Sequence, residues 1–358
     1  MVEADLQVGL SEGERDMRVG LVAIVCLTVA SSAVAQPKVT PPCDRACLEG
    51  YVDRYLDAML ANEVNPKLFA RDVKFTENGV RLPLGNEGLW FGMSGRGKYR
   101  FYVPDVETQQ VAFIGTVIEN ARNRGANDGQ GDVVAIGLRL KVVGGLVTEV
   151  EQLAIRPETP LARGGGAGGR GAGTAAAAGR GAPPAGSAAA PPTPATPGTG
   201  ARVEAMGQPH PIFREVIPEA KRPSREELIE TANYYFTGLA RNDGKGYYPF
   251  TADCARFENG ISTTTNCKQQ FENSLRGVVS RIRDRRFVAV DRERGIVFSF
   301  AFFDHEQINW TWQLAELFKI ENGQIRRVEA VFHRAPYGIP SGWSSFEQAM
   351  SESIQSVR

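Results

Sequence analysis

The chain has 358 residues, and its 41 Lys and Arg residues are balanced by 41 Asp and Glu residues. Without net charge the protein has no general attraction for nucleic acid or an anionic membrane surface, so the composition argues against both as partners. A local cluster of six arginines between Arg281 and Arg294 predicts a solvated strand-and-turn face, or alternatively a docking surface for an anionic glycan or carboxylated ligand.

The first 35 residues predict an export signal rather than part of the fold. Residues 1–16 are polar, whereas Arg18 precedes the apolar run VGLVAIVCLTVA, which is shorter than the ~20 residues that a membrane-spanning helix needs. The run ends at Ala33-Val34-Ala35, a small-x-small pattern typical of signal peptidase sites. We expect translation to start at Met17 and the cleaved protein to be secreted or periplasmic, without stable membrane insertion. An uncleaved anchor is the alternative.

A ten-residue stretch occurs twice, as ARDVKFTENG at 70–79 and as TADCARFENG at 251–260. The matching residues, each 181 positions apart (258 minus 77), are Asp72 and Asp253, Glu77 and Glu258, Asn78 and Asn259, and Gly79 and Gly260. This spacing predicts a tandem duplication. We call residues 36–156 copy one and residues 212–358 copy two.

Copy one begins with apolar residues at helical spacing from Leu48 to Leu60, with Asp44 as a candidate N-cap. Strand-like runs follow, the first two of them joined through Asn78-Gly79, a two-residue hairpin signal. A helix followed by a long meandering sheet predicts an α+β domain with its own core.

Residues 157–211 are dominated by Gly, Ala, Pro and Thr. Such a segment cannot bury enough apolar surface to fold, so we expect a disordered linker that acts as a spacer.

Copy two repeats the plan. Ser224 and Glu227 form a capping box at the start of a helix, and strand-like runs follow the turn at Asn259-Gly260. The tail PYGIPSGWSSFEQAM has no counterpart in copy one and predicts a structured C-terminal extension.

Four cysteines remain after the export signal, and they allow three pairings. Local bridges, Cys43 to Cys47 and Cys254 to Cys267, are the simplest arrangement in an oxidising compartment. The spacings C-x3-C and C-x12-C, with no His nearby, argue against zinc, and we expect no metal site. A bridge between the copies is the remaining alternative.

The order helix, D-x4-ENG hairpin, irregular segment with Trp or Phe, then four strands resembles the SnoaL-like branch of the NTF2-like superfamily. More narrowly, CDRACLEGYVDRYLDAMLA, VKFTENGVRLPLGNEGLW and VEAVFHRAPYGIPSGW resemble DUF8021, an uncharacterised family of secreted two-domain proteins. The resemblance implies a duplicated cystatin-like cone, a curved antiparallel sheet wrapped on the N-terminal helix, with a pocket at its open end. Members of the superfamily include isomerases, lyases and hydrolases, and also proteins that only bind or dimerise, so the fold does not decide the function.

Polar groups on apolar strand faces are the candidates for chemistry in such a pocket. Glu77 and Glu258 lie beside Phe75 and Phe257, and a carboxylate in apolar surroundings can act as a general acid or base. The alternative is structural, with the Asn of each motif making the turn and the Glu bracing the hairpin.

Copy two carries more chemically active residues, because copy one has no histidine. Period-two alternation places Glu329, Val331 and His333 on one face of the last strand. It also places Trp310, Trp312, Leu314 and Glu316 on one face of the preceding strand, and two aromatic rings beside polar groups suit a sugar. The predicted catalytic residues are Glu258, Glu329 and His333. The predicted binding residues are Trp310, Trp312, His305, Asn259, Tyr337, Glu77, Asn78 and Trp90.

Two hypotheses follow. The first is an exported enzyme without a cofactor, an isomerase, lyase or hydrolase, that acts by proton transfer on a small polar or saccharide-derived molecule. The second is a non-catalytic binding protein for a small molecule or glycan, in which the two copies pair within the chain. Motifs of metalloproteases, serine hydrolases and P-loop proteins do not occur in the sequence.

Overall fold

The computed structural model describes residues 42–120, 129–157, 198–241, 243–273 and 279–355. The predicted export signal, the start at Met17 and most of the predicted linker lie outside these residues. Within them, no helix is both long enough and apolar enough to cross a bilayer.

Copy one starts with a helix whose predicted cap is confirmed, since the Asp44 carboxylate accepts a hydrogen bond from the backbone N–H of Cys47 at 2.8 Å. The elements are α1 (Arg45–Ala61), β1 (Phe69–Glu77), β2 (Val80–Arg81), α2 (Leu89–Gly92), β3 (Met93–Asp105), β4 (Gln110–Glu119), β5 (Asp132–Val143) and β6 (Leu146–Ile155).

Copy two repeats this order after a short helix, α3 (Thr199–Ala205). The predicted capping box is confirmed by hydrogen bonds in both directions between Ser224 and Glu227. The elements are α4 (Arg225–Arg241), β7 (Phe250–Glu258), β8 (Ile261–Thr264), α5 (Cys267–Asn273), β9 (Arg281–Asp291), β10 (Ile296–His305), β11 (Trp310–Glu321), β12 (Gln324–Pro336) and α6 (Phe346–Met350).

The fold is α+β, with two six-stranded sheets in the orders β2-β1-β6-β5-β4-β3 and β8-β7-β12-β11-β10-β9. Each sheet is mixed, because β1 pairs with β6 and β7 pairs with β12 in parallel. The prediction of a purely antiparallel sheet is therefore wrong at one pairing in each copy. The chain crosses from the first hairpin to the far edge of the sheet and meanders back, so the last strand lies beside the first in the same direction.

Each sheet is covered on both faces. One face packs on the long helix of its own copy, α1 or α4, and forms that copy's core. The opposite faces of the two sheets meet in a third apolar cluster, which includes Phe101, Leu153, Phe298, Phe300, Ala315, Leu317 and Val331. Both sheets are therefore buried on both sides.

Two reciprocal ion pairs join the copies. Arg45, the first residue of α1, binds Asp291 at the end of β9 with distances of 2.7 and 2.8 Å. Arg225, the first residue of α4, binds Asp105 at the end of β3 at 2.5 Å. Both aspartates are almost fully buried, at 2% and 0% exposure. The start of each helix is thus attached to the other copy's sheet in the same way, so the two copies form a pseudo-symmetric pair.

The repeated ENG turns lie where each copy meets the other. Gly79 and Gly260 have positive φ angles of 80° and 77°, and a Cβ would collide with backbone of the C-terminal extension at Gly79 and of helix α3 at Gly260. A Cβ on Gly79 would lie 2.5 Å from the carbonyl oxygen of Pro340, and a Cβ on Gly260 would lie 2.6 Å from the carbonyl carbon of Arg202. Glycine is required there by both conformation and space.

The Asn side chain of each motif bridges two strands. Asn78 binds the backbone N–H and C=O of Ala154 at 2.7 and 3.1 Å. Asn259 binds the same two groups of Phe332 at 2.9 and 3.1 Å. The amides predicted to bind substrate are thus engaged with backbone.

The segment after copy one is ordered from residue 198, so the prediction of a disordered linker over 157–211 is wrong at its C-terminal end. Helix α3 buries Val203 to 2% exposure within the apolar cluster between the sheets. Its Glu204 carboxylate accepts hydrogen bonds from the backbone N–H groups of Lys98 and Tyr99 at the edge strand β3. A single apolar side chain in a Gly- and Ala-rich stretch gives no periodic signal, and only the neighbouring sheets bury it.

The arginine cluster is not a solvated face, so that prediction is wrong. Arg283, Arg285 and Arg286 are 0%, 4% and 4% exposed. Arg286 binds Glu151 of copy one at 2.6 Å, and Arg283 binds Asp304 at 2.8 Å. The C-terminal extension covers this part of β9, as the 3.0 Å hydrogen bond from the backbone N–H of residue 284 to Ser351 shows.

The disulfides are confirmed as local bridges, Cys43–Cys47 and Cys254–Cys267. Such bridges are typical of proteins that fold in an oxidising compartment. The structured C-terminal extension is confirmed as well. Its Trp343 reaches copy one, where the indole N–H donates to the Thr76 hydroxyl at 2.8 Å.

Replacing Val203 by Asp should destabilise the fold by ~3 kcal/mol or more, because a carboxylate would be buried between the sheets without a partner. The matched control is Ala201→Asp, at an exposed position of the same helix. Urea unfolding of the full-length chain measures both variants. Equal stability of the two would contradict the assigned role of α3.

Candidate functional site

The helix-facing interior of copy one is filled. Trp90 is fully buried, and its indole N–H donates to the Tyr55 hydroxyl at 2.9 Å. That hydroxyl donates to the Gln152 side-chain oxygen at 2.8 Å, and the Gln152 amide donates to Glu77 at 3.0 Å. Every polar group in this chain of contacts has a partner, so Trp90 and Glu77, both predicted to bind substrate, are packed inside the domain.

Glu77 also holds the hairpin in place. Its carboxylate accepts from the backbone N–H of Leu89 and from Arg156, both at 2.8 Å. These contacts favour the structural alternative for copy one, in which Glu77 braces the repeated hairpin.

Strand register identifies the equivalent positions of copy two. Glu77 pairs with Gln152 across β1 and β6, and Glu258 pairs with Ala330 across β7 and β12. Leu138 pairs with Gln152, whereas Glu316 pairs with Ala330. Ala330 of copy two therefore stands where copy one has Gln152, and Glu316 stands where copy one has Leu138.

Two further substitutions follow between the copies, at Phe75 and at Trp90, whereas Tyr55 is matched by another tyrosine. Arg256 replaces Phe75, because they pair with Val328 and Val150 in the two registers. Tyr235 and Phe271 stand where copy one has Tyr55 and Trp90, at the spacing of the repeat or one residue from it. Copy two has therefore lost the indole donor and the glutamine amide and has gained a guanidinium and a carboxyl.

These differences leave a cavity of about 80 Å³ between α4 and the sheet of copy two. Three charged or titratable side chains line it, Arg256, Glu258 and Glu316. The remaining lining residues are Leu239, Val279, Phe303, Trp312, Leu314, Ala330 and Phe332.

The polar groups of this cavity are incompletely satisfied. Arg256 is 2% exposed, forms a close ion pair with Glu258 and donates to the Gln270 side-chain oxygen at 2.5 Å. Among the described residues, however, the Nε of Arg256 and the Oε2 of Glu316 lack a well-formed hydrogen bond, and the Tyr235 hydroxyl lies near both side chains. Unsatisfied buried polar atoms cost stability, and several around one cavity indicate a position for a ligand or water.

Burial raises the pKa of Glu316 from its ordinary value of 4.5 to about 8. The charge of Arg256 and the Tyr235 hydroxyl oppose this shift, and the negative charge of Glu258 adds to it. The carboxyl of Glu316 is therefore protonated at neutral pH. A carboxylic acid that titrates near neutrality can donate or accept a proton in catalysis.

Aromatic rings form one wall of the cavity. Trp312 packs on Phe332 with ring centroids 5.1 Å apart and on His305 at 4.2 Å. Trp310 does not line the cavity. The guanidinium carbon of Arg334 instead lies 3.8 Å from the centre of the Trp310 ring. Of the two predicted tryptophans, the structure brings only Trp312 to the cavity, with His305 directly behind it.

Glu329 and His333 point away from this cavity. Glu329 accepts hydrogen bonds from the Tyr99 hydroxyl of copy one at 2.8 Å and from Arg327 at 2.7 Å. His333 contacts Gln313 at 3.1 Å, and burial together with the charge of Arg156 lowers its pKa to about 4. The structure therefore does not bring Glu329 and His333 together with Glu258 at this cavity. Alternation shows which residues share a face, but not which face turns toward the helix.

Tyr337 lies beyond β12 and is 38% exposed, and it does not line the cavity. Of the predicted site residues, Glu258 and Trp312 thus meet at the cavity. The sequence reasoning missed Arg256 and Tyr235 and did not single out Glu316. Comparing the two copies position by position would have found Arg256, which stands where copy one has Phe75.

A larger open groove of about 560 Å³ runs along the outer face of α4. Two of its carboxylates already have partners, since Glu227 accepts from the backbone N–H of Ser224 at 2.7 Å and Glu230 accepts from the Tyr234 hydroxyl at 3.0 Å. We therefore place the candidate site in the smaller cavity. Within the described part of the chain, no group of three or more His, Cys, Asp or Glu side chains could hold a metal ion.

A family model described as a domain of unknown function, DUF8021, matches residues 221–332. This range includes every residue that lines the cavity. No curated protein matches the chain. Among solved structures, a de novo designed protein with a curved β-sheet is similar, with 16% identity over 31% of this chain and 88% of that chain and a TM-score of 0.25.

Replacing Glu316 by Gln should change how stability depends on pH. Because the folded-state pKa of Glu316 is raised, its contribution to stability is complete below about pH 4.5 and is lost as the pH rises through about 8. The neutral amide does not titrate. The free energy of unfolding of the variant should therefore rise relative to that of the wild type by roughly 1.4 kcal/mol per pH unit between these limits. Urea unfolding at several pH values measures the difference.

The control is Glu226→Gln on the exposed side of α4, for which the difference from wild type should stay nearly constant. A constant difference for Glu316→Gln as well would show that Glu316 is ionised throughout and would contradict the assignment.

Proposed function

We propose that copy two is the working half of an exported protein of the SnoaL-like, NTF2-like type. In this proposal it catalyses proton transfer on a small polar or saccharide-derived molecule, as an isomerase, lyase or hydrolase without a cofactor. The observation that carries the proposal is the cavity beside Glu316, whose carboxyl titrates near neutrality and whose neighbours keep unfilled hydrogen-bonding capacity.

The division between the copies supports this choice. Copy one fills the same space with Trp90 and a complete hydrogen-bond chain, whereas copy two keeps a cavity with a guanidinium and two carboxyl groups. Residues that are less favourable for stability than their counterparts in the same chain are the ones for which a functional reason is expected.

The roles follow from charge and protonation. Protonated Glu316 lines the cavity and can donate to an oxygen of the substrate, and a preorganised donor stabilises negative charge that develops there. Glu258, held by Arg256, is the remaining carboxylate and would take a proton from the adjacent carbon. Glu316 and Glu258 thus replace the earlier set of Glu258, Glu329 and His333 as the catalytic pair.

Export is proposed on two grounds. The N-terminal sequence has the pattern of a signal peptide, and both disulfides are formed. The NTF2-like assignment is supported by the order of elements, a long helix on a sheet whose first and last strands are neighbours.

A binding protein without catalysis is the second candidate. The observation that favours it is the ion pair between Glu258 and Arg256, which engages the proposed base. In that case the copy-two cavity holds a ligand and copy one serves as its structural partner.

Deuterium exchange tests the catalytic proposal. Incubation of the full-length protein in D2O with small hydroxyketones such as dihydroxyacetone and erythrulose should exchange the protons next to the carbonyl, and proton NMR measures the rate. Glu316→Gln should lower this rate by about 10²-fold, as expected for loss of a general acid. The rate should also fall above about pH 8, where Glu316 ionises.

His333→Ala is the matched control, because His333 lies on the opposite face of the sheet and should leave the rate unchanged. A loss with His333→Ala but not with Glu316→Gln would move the site to the junction between the copies. Binding of a ligand without any exchange would support the second candidate.

A further inference from the structure

The open groove of about 560 Å³ on the outer face of α4 lies where the two copies differ in one large side chain. In copy one Tyr51 is 4% exposed, and its hydroxyl donates to the carbonyl oxygen of Gly145 in the β5–β6 turn at 2.6 Å. Copy two has Thr231 at this helix position, and its hydroxyl donates at 2.8 Å to the backbone carbonyl oxygen of Glu227 in its own helix. The tyrosine that joins helix and turn in copy one is thus replaced by a shorter side chain, and Gly323 of the corresponding turn lines the groove.

Two tyrosine rings line this groove. Tyr234 on α4 and Tyr247 in the loop that follows meet nearly at right angles, with ring centroids 4.9 Å apart and 84° between the planes. Tyr247 is 66% exposed, so its ring is accessible to a ligand. At the repeat spacing or one residue from it, copy one has Arg54 and Pro66 in these places. A tyrosine offers an apolar face with a polar edge, which suits the C–H face of a sugar ring.

Neighbouring residues hold the polar groups of the groove in defined positions. Glu227 accepts the helix-capping hydrogen bond at 2.7 Å, and Glu230 accepts from the Tyr234 hydroxyl at 3.0 Å. The Nε of Arg222 donates to the carbonyl oxygen of Ile217 at 3.0 Å. Each group keeps further capacity, because a carboxylate has several acceptor sites and a guanidinium has several N–H donors. Groups that are positioned before binding lose less entropy when a ligand arrives.

The charges around the groove balance. Lys221 and Arg222 line it together with Glu227 and Glu230, so cations and carboxylates surround the same space in equal number. A ligand with a net charge of either sign would lie close to like charges. A hydroxyl group, by contrast, can accept from the cations and donate to the carboxylates. This set of side chains therefore favours an uncharged ligand with several hydroxyl groups.

We propose that this groove binds a segment of an uncharged oligosaccharide, with one sugar ring against Tyr247 and its hydroxyl groups between Arg222 and Glu230. The volume lies within the ~300–1,000 Å³ of small-molecule sites, and because the groove is open, a longer chain can extend beyond it. The groove shares no lining residue with the cavity beside Glu316. Binding here is therefore a second activity, and it does not depend on catalysis in that cavity.

NMR titration of the full-length protein tests the ligand class. The neutral probes are the trisaccharides cellotriose, maltotriose, xylotriose and triacetylchitotriose, and the charged probes of the same length are trigalacturonate and the glucosamine trimer. At neutral pH at least one neutral probe should bind with a Kd of about 1 mM or lower. It should bind at least about fivefold more tightly than either charged probe, because both charged probes meet like charges in the groove.

Variants locate the binding. Tyr247→Ala removes an exposed ring and should weaken binding of the neutral probe by about tenfold or more, a loss of about 1.4 kcal/mol. The matched control is Phe346→Ala, which removes a ring that is 74% exposed in the C-terminal extension and does not line the groove, and it should bind as the wild type does. Thr231→Tyr introduces the side chain of copy one and should abolish binding, because the larger side chain occupies the groove.

Three results would contradict the proposal. An unchanged affinity of Tyr247→Ala, or an equal loss with Phe346→Ala, would place the bound sugar elsewhere. Tighter binding of trigalacturonate or of the glucosamine trimer would show that the ligand class is wrong. Absence of binding by every neutral probe at about 10 mM would overturn the site and the class together.

The outcomes are distinct from those that test the proposed function. If a neutral trisaccharide binds through Tyr247 but no ketone exchanges deuterium, the groove stands and catalysis is wrong. If Glu316→Gln slows exchange as expected but no trisaccharide binds, catalysis stands and the groove is wrong.

Discussion

The packing of the two sheets against each other is the constraint on which the rest of the structure depends. It buries one whole face of each sheet, and reciprocal ion pairs from Arg45 and Arg225 to the other copy close its ends. Breaking such a buried pair by removing one partner costs ~3–5 kcal/mol, so the relative position of the copies is strongly held. Because that face of each sheet is buried against the other sheet, a ligand can be held on the helix-facing side of each sheet.

Duplication then allowed the two helix-facing interiors to differ. Copy one satisfies its buried polar groups through Tyr55, Gln152 and Glu77, and contributes a well-packed half. Copy two keeps unpartnered polar atoms around Arg256 and Glu316, each of which costs about 1–3 kcal/mol. A chain in which the helix-facing interior of one copy is satisfied can tolerate this cost in the other copy, because folding stability is shared across their common interface.

The repeated ENG motif illustrates how repetition in sequence can mislead about function. Its Gly allows close contact with the C-terminal extension or with α3, its Asn joins two strands through hydrogen bonds, and in copy one its Glu braces the hairpin. These roles depend on the pseudo-symmetry of the pair, which explains why they occur in both copies. The candidate site is instead lined at positions where the copies differ, such as Arg256 against Phe75.

The α+β class, the duplication, the helix caps and the local disulfides could be predicted from the residues alone, since these features depend on residues close along the chain or on the repeat spacing. Alternation correctly grouped Glu329 with His333 and Trp312 with Glu316, but each strand has two faces. Which face turns toward the helix could not be predicted, because it depends on the burial of the opposite face against the second sheet. The same packing ordered α3 and buried the arginines, and it moved the candidate site from His333 to Glu316, where burial without a full set of partners raises the pKa of a carboxyl toward neutrality.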